Sequence, residues 1–302
     1  MQISLSFDSQ PDTRHTFIVS KEITAEKLTV CKVYKVFSPL HQSHFLLKIF
    51  PKNVLGNTQY TKEKNLLNFS HPNVIQAISS ATINPKFSGI LTEYAPAGDF
   101  FDVVTKGILN SEVLIRTYFH QFIEGLDHIH SKGIVHLDLK LENLMLSSDF
   151  KLKLIDFDQS QSTADETVYS KGTEGYRAPE VIASECRNLT AADIYSAGII
   201  LYAMKAKKFP FVERDAGEEI ELTHYSRFMN DNEGFWEMKA DHIGDKSFFS
   251  EDFKELVNGM LNSQVDRRFT ISDIKNSKWY QGPVLDNETL NAYMSEHVRC
   301  DE

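Results

Sequence analysis

The stretch ADIYSAGIILYAM (residues 192–204) is apolar on nearly every face at helical spacing. As a helix it can only lie buried at the centre of a larger helical assembly. Its longest apolar run, residues 197–204, falls far short of the roughly 20 apolar residues that a membrane span needs. Thr190 with Asp193 reads as a capping-box-like start to this helix, with Asp where Glu is commoner. A chain of 302 residues can surround such a helix and still build a second region, with no need of covalent staples.

The N-terminal part has a different rhythm. Residues 28–36 (LTVCKVYKV) and 44–50 (HFLLKIF) read as strands separated by the turn-like SPLHQS. A helix is expected over about 58–69, ended by Ser70-His71-Pro72, because proline restricts the residue before it. Strand-like VIQAI and SGILTEYA follow. From Asn110 onward the pattern turns helical. Ser111 can cap a long helix in which Leu114, Tyr118, Phe122, Leu126 and Ile129 recur on one face, and Gly133 suits its end. LML (144–146) and KLKLI (151–155) flank SSDF as a short hairpin. The expected class is α+β: a small antiparallel β part with one helix, then a larger, mainly helical part, hinged near residues 93–98. Residues 1–20 read as an extra strand or hairpin, and about 285–302 as a tail with one short helix.

Composition narrows the functions. The net charge of −10 and the lack of a strongly basic segment argue against a nucleic-acid binder. The acidity fits either steering of basic peptides or ordinary solubilising charge. Cys31, Cys186 and Cys300 are too scattered for a disulfide framework or a metal-ligand cluster. The N-terminus lacks the basic start and apolar core of a signal peptide. The expectation is a reducing, cytoplasmic setting with no membrane span.

Chemistry concentrates in residues 136–158. Moving a phosphoryl group requires charge neutralisation, metal ions and an oriented hydroxyl. In HLDLKLENLML, Asp138 is a carboxylate able to accept or orient a hydroxyl proton, Lys140 a cation for the transferring phosphate, and Asn143 an uncharged oxygen ligand. Asp156, eighteen residues after Asp138, is a natural chelating carboxylate. Magnesium favours such oxygen donors, taking one or two carboxylates plus substrate phosphates.

In these motifs the sequence resembles the eukaryotic protein kinases, serine/threonine type. HLDLKLEN is similar to their catalytic loop, IDFD to their metal-binding triplet, and GTEGYRAPE to the end of their activation segment. The phrases LTEYAPAGDFFDVV and SKWYQGPVL resemble the calcium/calmodulin-dependent group, although no calcium loop of the D-x-[DN]-x-[DN]-G type occurs. The resemblance implies a bilobal protein-kinase-like fold with an N-terminal lobe over 21–92, a hinge over 93–98 and a C-terminal lobe over 99–282, flanked by an extension (1–20) and a tail (283–302). It implies ATP and Mg2+ as cofactors and a protein as substrate. Lys48 resembles the lysine that holds the α- and β-phosphates, and Glu63 its ion-pair partner. Glu93, Tyr94 and Ala95 resemble the adenine-binding hinge, Thr92 the gatekeeper, and Val33 and Met145 the residues that sandwich the base. Asp99 and Glu142 stand where kinases bind ribose or a basic substrate residue. Asn143 and Asp156 take the metal positions. Thr173 stands where it would touch Asp138 and Lys140, favouring serine or threonine as acceptor. Glu180 would pair with Arg268, and Asp193 would cap the backbone of the catalytic loop.

Three features depart from the family pattern. The phosphate-covering loop carries Glu26, Leu28 and Cys31 in place of its glycines, which would hold it farther from the nucleotide. Asp158 replaces the glycine of the metal triplet, restricting movement of Phe157. Leu137 replaces the arginine before Asp138, removing the main receptor for a phosphate on Thr167, Tyr169 or Ser170. The residues leave an active kinase, with weak nucleotide affinity or slow turnover, and a pseudokinase acting as a binding or scaffolding module as the readings to separate. A small-molecule kinase fits less well, since GTEGYRAPE resembles a protein-substrate platform.

Overall fold

In the computed structural model, residues 2–23, 31–165, 167–169, 172–211 and 220–301 are described. Glu26, Leu28, Ser170 and residues 212–219 lie outside them.

The N-terminal region is a closed antiparallel barrel. Its strands are β1 (Gln2–Phe7), β2 (Gln10–Glu22), β3 (Lys32–Ser38) and β4 (Ser43–Pro51). After helix α1 (Val54–Lys64) come β5 (Ala77–Asn84) and β6 (Phe87–Glu93). The order around the barrel is β1-β2-β3-β4-β6-β5, and β1 closes it on β5 through Ser6↔Thr82 and Phe7↔Ala81. Gln2–Glu22 thus form a hairpin, with β2 running unbroken through residues 20–21. Strand alternation sends Leu5, Phe17, Val36, Leu47 and Leu91 into the barrel core. In the same register Val33 pairs with Lys48, and Leu46 with Thr92, on the opposite face.

Two boundaries differ from the sequence expectation for local reasons. Helix α1 begins at Val54, four residues before the expected start, because the Asn53 side chain caps Gly56 N at 2.8 Å. It tightens into a 3-10 turn over Asn65–Asn68 before Phe69 becomes extended. The strand expected to begin at Val74 begins at Ala77. Residues 74–75 pair instead with Leu154 of the later hairpin, Ile75 N donating to Leu154 O at 2.9 Å.

After β6 the chain becomes mainly helical. β7 (Gly98–Asp99), α2 (Phe100–Thr105) and α3 (Glu112–Ser131) lead into β8 (Ile134–Val135), the hairpin β9 (Leu144–Leu146) and β10 (Leu152–Leu154), and β11 (Gln161–Ser162). Then follow α4 (Pro179–Ile182), α5 (Leu189–Ala206), α6 (Ile220–Asn230), α7 (Asn232–Ile243), α8 (Glu251–Met260), α9 (Ile271–Asn276) and the tail helix α10 (Asn287–His297). Ser111 caps α3 and all five of its expected apolar residues are buried. Helix α5 is buried along its length and packs on α3 and α8. A Cβ on Gly198 would meet Leu261 at 2.8 Å and Met260 at 3.0 Å, so α8 can approach this closely only because the position is glycine. The expected cap at Thr190 is corrected: Asn188 caps α5 by accepting from Ala191 N at 3.1 Å. Asp193 is committed elsewhere, as described below. Among the described residues no helix is long and apolar enough to cross a membrane.

Glu180 at the start of α4 meets Arg268 in a buried bidentate pair at 2.5 and 2.9 Å. The guanidinium also donates to the carbonyls of Ala191 and Asn262. The arginine side chain is fully enclosed. Glu180→Ala would leave this cation without its counter-charge, at a cost of about 3 kcal/mol. Urea unfolding should show that loss, and a change below about 0.5 kcal/mol would mean that the carbonyls alone satisfy the arginine.

Candidate functional site

A cavity of about 650 Å³ lies between the barrel and the helical region. Its walls include Val33, Leu46, Lys48, Glu63, Thr92, Glu93, Ala95, Met145 and Asp156. The β4 register points Lys48 out of the barrel core, and Glu63 reaches it from the last turn of α1. Lys48 Nζ donates to Glu63 Oε1 at 2.5 Å and to Asp156 Oδ1 at 2.9 Å. Glu63 is fully buried and Lys48 nearly so, whereas Asp156 keeps 38% of its side chain exposed. Burial opposes the charge on Lys48, but the two carboxylates outweigh it and raise its pKa. Burial likewise opposes ionisation of Asp156, yet the Lys48 ammonium prevails and brings its carboxyl down to about 2. Glu63 Oε1 also accepts from Phe157 N at 3.0 Å. The Phe157 ring is enclosed between Phe69 and His136, at centroid distances of 5.7 and 4.9 Å.

A second group of side chains gathers at the loop between β8 and β9, with Thr173 reaching it from the segment between β11 and α4. Thr173 Oγ1 donates to Asp138 Oδ1 at 2.6 Å and accepts from Lys140 Nζ at 3.0 Å. Lys140 also lies 3.0 Å from Asp138 Oδ2. Asn143 donates its amide nitrogen to the carbonyl and carboxylate of Asp138 at 2.8 and 3.2 Å, which leaves its Oδ1 as a donor for a cation. Asp193, buried on α5, accepts from His136 N and Leu137 N, each at 2.8 Å, and meets His130 Nε2 at 2.9 Å. The loop is therefore fixed from the core of the helical region.

The remaining expected residues divide. Asp99 caps α2 by accepting from Phe101 N at 2.7 Å, and Glu142 is exposed and accepts from Tyr176 at 3.3 Å. Neither lines the cavity. Burial, opposed by its bond from Phe101, pushes the Asp99 carboxyl up to about 6, with Asp102 and Glu142 adding to the rise. Of the three positions in the phosphate-covering loop, Cys31 is described and lines the cavity. Asp158 lines it too and accepts from Gln59 Nε2 of α1 at 2.9 Å.

Several contacts at the cavity wall were not anticipated. The Glu93 side chain turns away to bond Gln76 N and Lys153 Nζ, both at 2.8 Å, tying β6 to β10. Asp301, beyond α10, accepts from Tyr94 at 2.8 Å and Lys35 at 3.4 Å, and donates its own N–H to Pro96 O. These contacts span up to 266 residues of sequence. A tail carboxylate carries no local signal of its partner.

The donor set suits a magnesium nucleotide. Among the described residues no three His, Cys, Asp or Glu side chains cluster to hold an ion by themselves. Asn143 Oδ1 and Asp156 supply the kind of incomplete oxygen set that substrate phosphates complete.

A family model described as "Protein kinase domain" matches residues 29–280. Among curated proteins, the chain is similar to CBL-interacting serine/threonine-protein kinase 8 of Arabidopsis thaliana, 34% identical over 235 residues, covering 77% of this chain and 48% of that protein. It is also similar to CBL-interacting protein kinase 28 of Oryza sativa subsp. japonica, 34% identical over 228 residues, covering 72% and 48%. CBL-interacting protein kinase 8 of the same rice is 32% identical over 236 residues, covering 77% and 48%. The chain spans about half the length of these relatives.

The depressed Asp156 pKa fixes the sign of a pH effect. The Lys48–Asp156 attraction contributes stability above the unfolded carboxyl's pKa of about 4, lost as pH falls toward about 2. Asp156→Asn should therefore flatten the acid limb of a stability-against-pH curve over that window. An unaltered limb would show that Asp156 gains no stability from Lys48.

Proposed function

The chain belongs to the protein kinase family, and from that premise we propose that it transfers the γ-phosphoryl group of ATP to a serine or threonine hydroxyl of a protein. The observation that carries this reading is the convergence of Lys48, Glu63 and Asp156, from strand, helix and loop, on one cavity. The small barrel with α1 and the helical region act as two lobes. The hinge backbone at Glu93 and Ala95 would take the adenine beside Thr92, with Val33 and Met145 on its faces.

Each polar group then has a task. Lys48 neutralises charge on the α- and β-phosphates, and Glu63 fixes its ammonium. Asn143 Oδ1 and the free oxygen of Asp156 would hold magnesium, which when bound screens the triphosphate. Asp138 orients the acceptor hydroxyl and takes its proton as the phosphoryl group transfers. Lys140 lies within reach of both Asp138 and Thr173, where it would steady the transferring group's charge. The Thr173–Lys140–Asp138 triangle supports serine or threonine as acceptor. Positioning and electrostatic stabilisation dominate such transfer, and the side chains that supply them are all present. The substitutions at Glu26, Leu28 and Cys31 would slow turnover or weaken nucleotide affinity. We place the kinase unit up to about residue 282, followed by the tail, and a cytoplasmic setting fits the scattered cysteines. The relatives are named as CBL-interacting; a comparable partner for this chain is a proposal that rests on that likeness alone.

The deciding experiment incubates the purified chain with magnesium-ATP and basic peptides beside Asp138→Asn. The variant should lose at least about a hundredfold in rate, as loss of a positioned base does. Equal incorporation by both would sink the enzyme reading. A magnesium-dependent thermal shift by ATP without transfer would support the nucleotide-binding module instead. Asp99 and Glu142 would select a basic residue near the acceptor, and this preference needs Asp99 ionised. With its carboxyl at about 6, kcat/KM for arginine-containing peptides should fall as pH drops from 7 to 5. A profile with equal slope for peptides lacking arginine would remove Asp99 from recognition.

A further inference from the structure

Helix α1 carries Glu63, yet it has little apolar grip on the rest of the molecule: its buried residues are Gly56 and Glu63 alone. A helix gains most of its stability from packing an apolar face. This one is instead held by polar tethers, two of which come from carboxylates outside the lysine pair.

The first is Asp8, in the turn between β1 and β2. Its N–H donates to Ser80 O at 3.0 Å, and its Oδ2 accepts from Ser80 Oγ at 2.5 Å. The same oxygen meets Tyr60 OH and Lys64 Nζ of α1, each at 3.3 Å. Lys64 lies over the Tyr60 ring, which packs against Phe50 at 5.8 Å. Because β1 is paired to β5, Asp8 is fixed by the closed barrel rather than by a free turn. The second tether is Asp158, which accepts from Gln59 Nε2. Gln59, Tyr60, Glu63 and Lys64 occupy two successive turns, so the tethers grip α1 on either side of Glu63.

We infer that Asp8 and Asp158 form a two-point clamp on α1 that positions Glu63 against Lys48, making Asp8 a positioning residue supplied by the N-terminal hairpin. An exposed ion pair alone contributes little. Asp8, however, joins three donors from two elements and is anchored to the sheet by its own backbone. Leu137 offers no cation to a phosphorylated loop. The clamp lets the chain's own carboxylates set the helix instead. The inference deepens the kinase reading and rests on it for its catalytic consequence, though not for the placement of α1.

The test compares the 302-residue wild-type chain with Asp8→Ala, Asp8→Asn, Gln59→Ala and Asp8→Ala/Gln59→Ala. Hydrogen exchange of residues 54–64, kcat and KM for ATP, and the urea midpoint are measured together. Asp8→Ala should speed exchange in 54–64 about tenfold relative to the helical region and lower kcat about fivefold, the range expected when one or two net hydrogen bonds are lost. Asp8→Asn, which keeps an acceptor for Tyr60 and Ser80, should fall between it and the wild type. The double variant should lose more than the product of the single losses, because either tether alone still restrains the helix. A purely structural role for Asp8 would lower the urea midpoint while leaving kcat per folded molecule and exchange in 54–64 unchanged, and that result overturns the inference. Should the wild type transfer no phosphate, the kinase reading fails, and exchange across α1 still decides the clamp.

Discussion

Lys48 is the point on which the two halves of the molecule agree. A buried ammonium is tolerated only when opposite charge and hydrogen bonds replace the lost water. Here the replacements come from a helix and from a loop 108 residues farther along the chain. Each partner constrains the others: α1 must lie close enough for Glu63 to reach, and the loop after β10 must turn so that Asp156 faces the barrel. The same turn buries Phe157 between Phe69 and His136. One cation thereby couples the barrel, α1 and the loop leading from the helical core.

What could be read from sequence was what neighbours dictate. The strand alternation around Lys48, the cap at Ser111, the apolar stripe of α3 and the all-round burial of α5 follow from residues within a turn or two of each other. The spacing of Asp138, Lys140 and Asn143 is local too, whereas Thr173, 33 residues beyond Lys140, was expected beside them only through the resemblance to the protein kinases. Where two local signals competed, the sequence pointed to the wrong one, Thr190, as the cap of α5. Asn188 and Thr190 are both good caps, and Asn188 prevails because Asp193 is needed by the loop at His136 and Leu137. Contacts without local signature stayed invisible: the closure of β1 on β5, the Glu93–Lys153 pair, and Asp301 against Tyr94. Each joins surfaces whose adjacency exists only after the barrel and the helical region have met.

The last two of those contacts collect around residues 93–96. On one side Lys153 holds Glu93, tying the last barrel strand to the hairpin of the helical region. On the other, the tail returns to place Asp301 by Tyr94 and Lys35, with the Lys35 ammonium 4.6 Å from the Tyr94 ring centre. The segment that joins the two regions is thus bonded from both sides. Its backbone is held in place by Glu93, Tyr94, Lys35 and Asp301, side chains that also line the cavity. A connector so held is ordered in advance, and such order lowers the cost of binding wherever a ligand contacts it.

Backbone geometry at the site carries the same logic further. Leu137 and Asp156 have φ values of +62° and +65°, a region that side-chain-bearing residues adopt at a cost of order 1–3 kcal/mol each. Both are secured at their own or an adjacent amide: Leu137 N and His136 N bond Asp193, and Phe157 N bonds Glu63. The two anchors are buried carboxylates, one on α5 and one on α1. Letting go would strip a buried carboxylate of hydrogen bonds, a cost of the same order as the strain relieved. These bonds offset the strain in the turns that carry Asp138 and Asp156. The acidic residues that hold them matter to the site although neither is positioned to touch an acceptor.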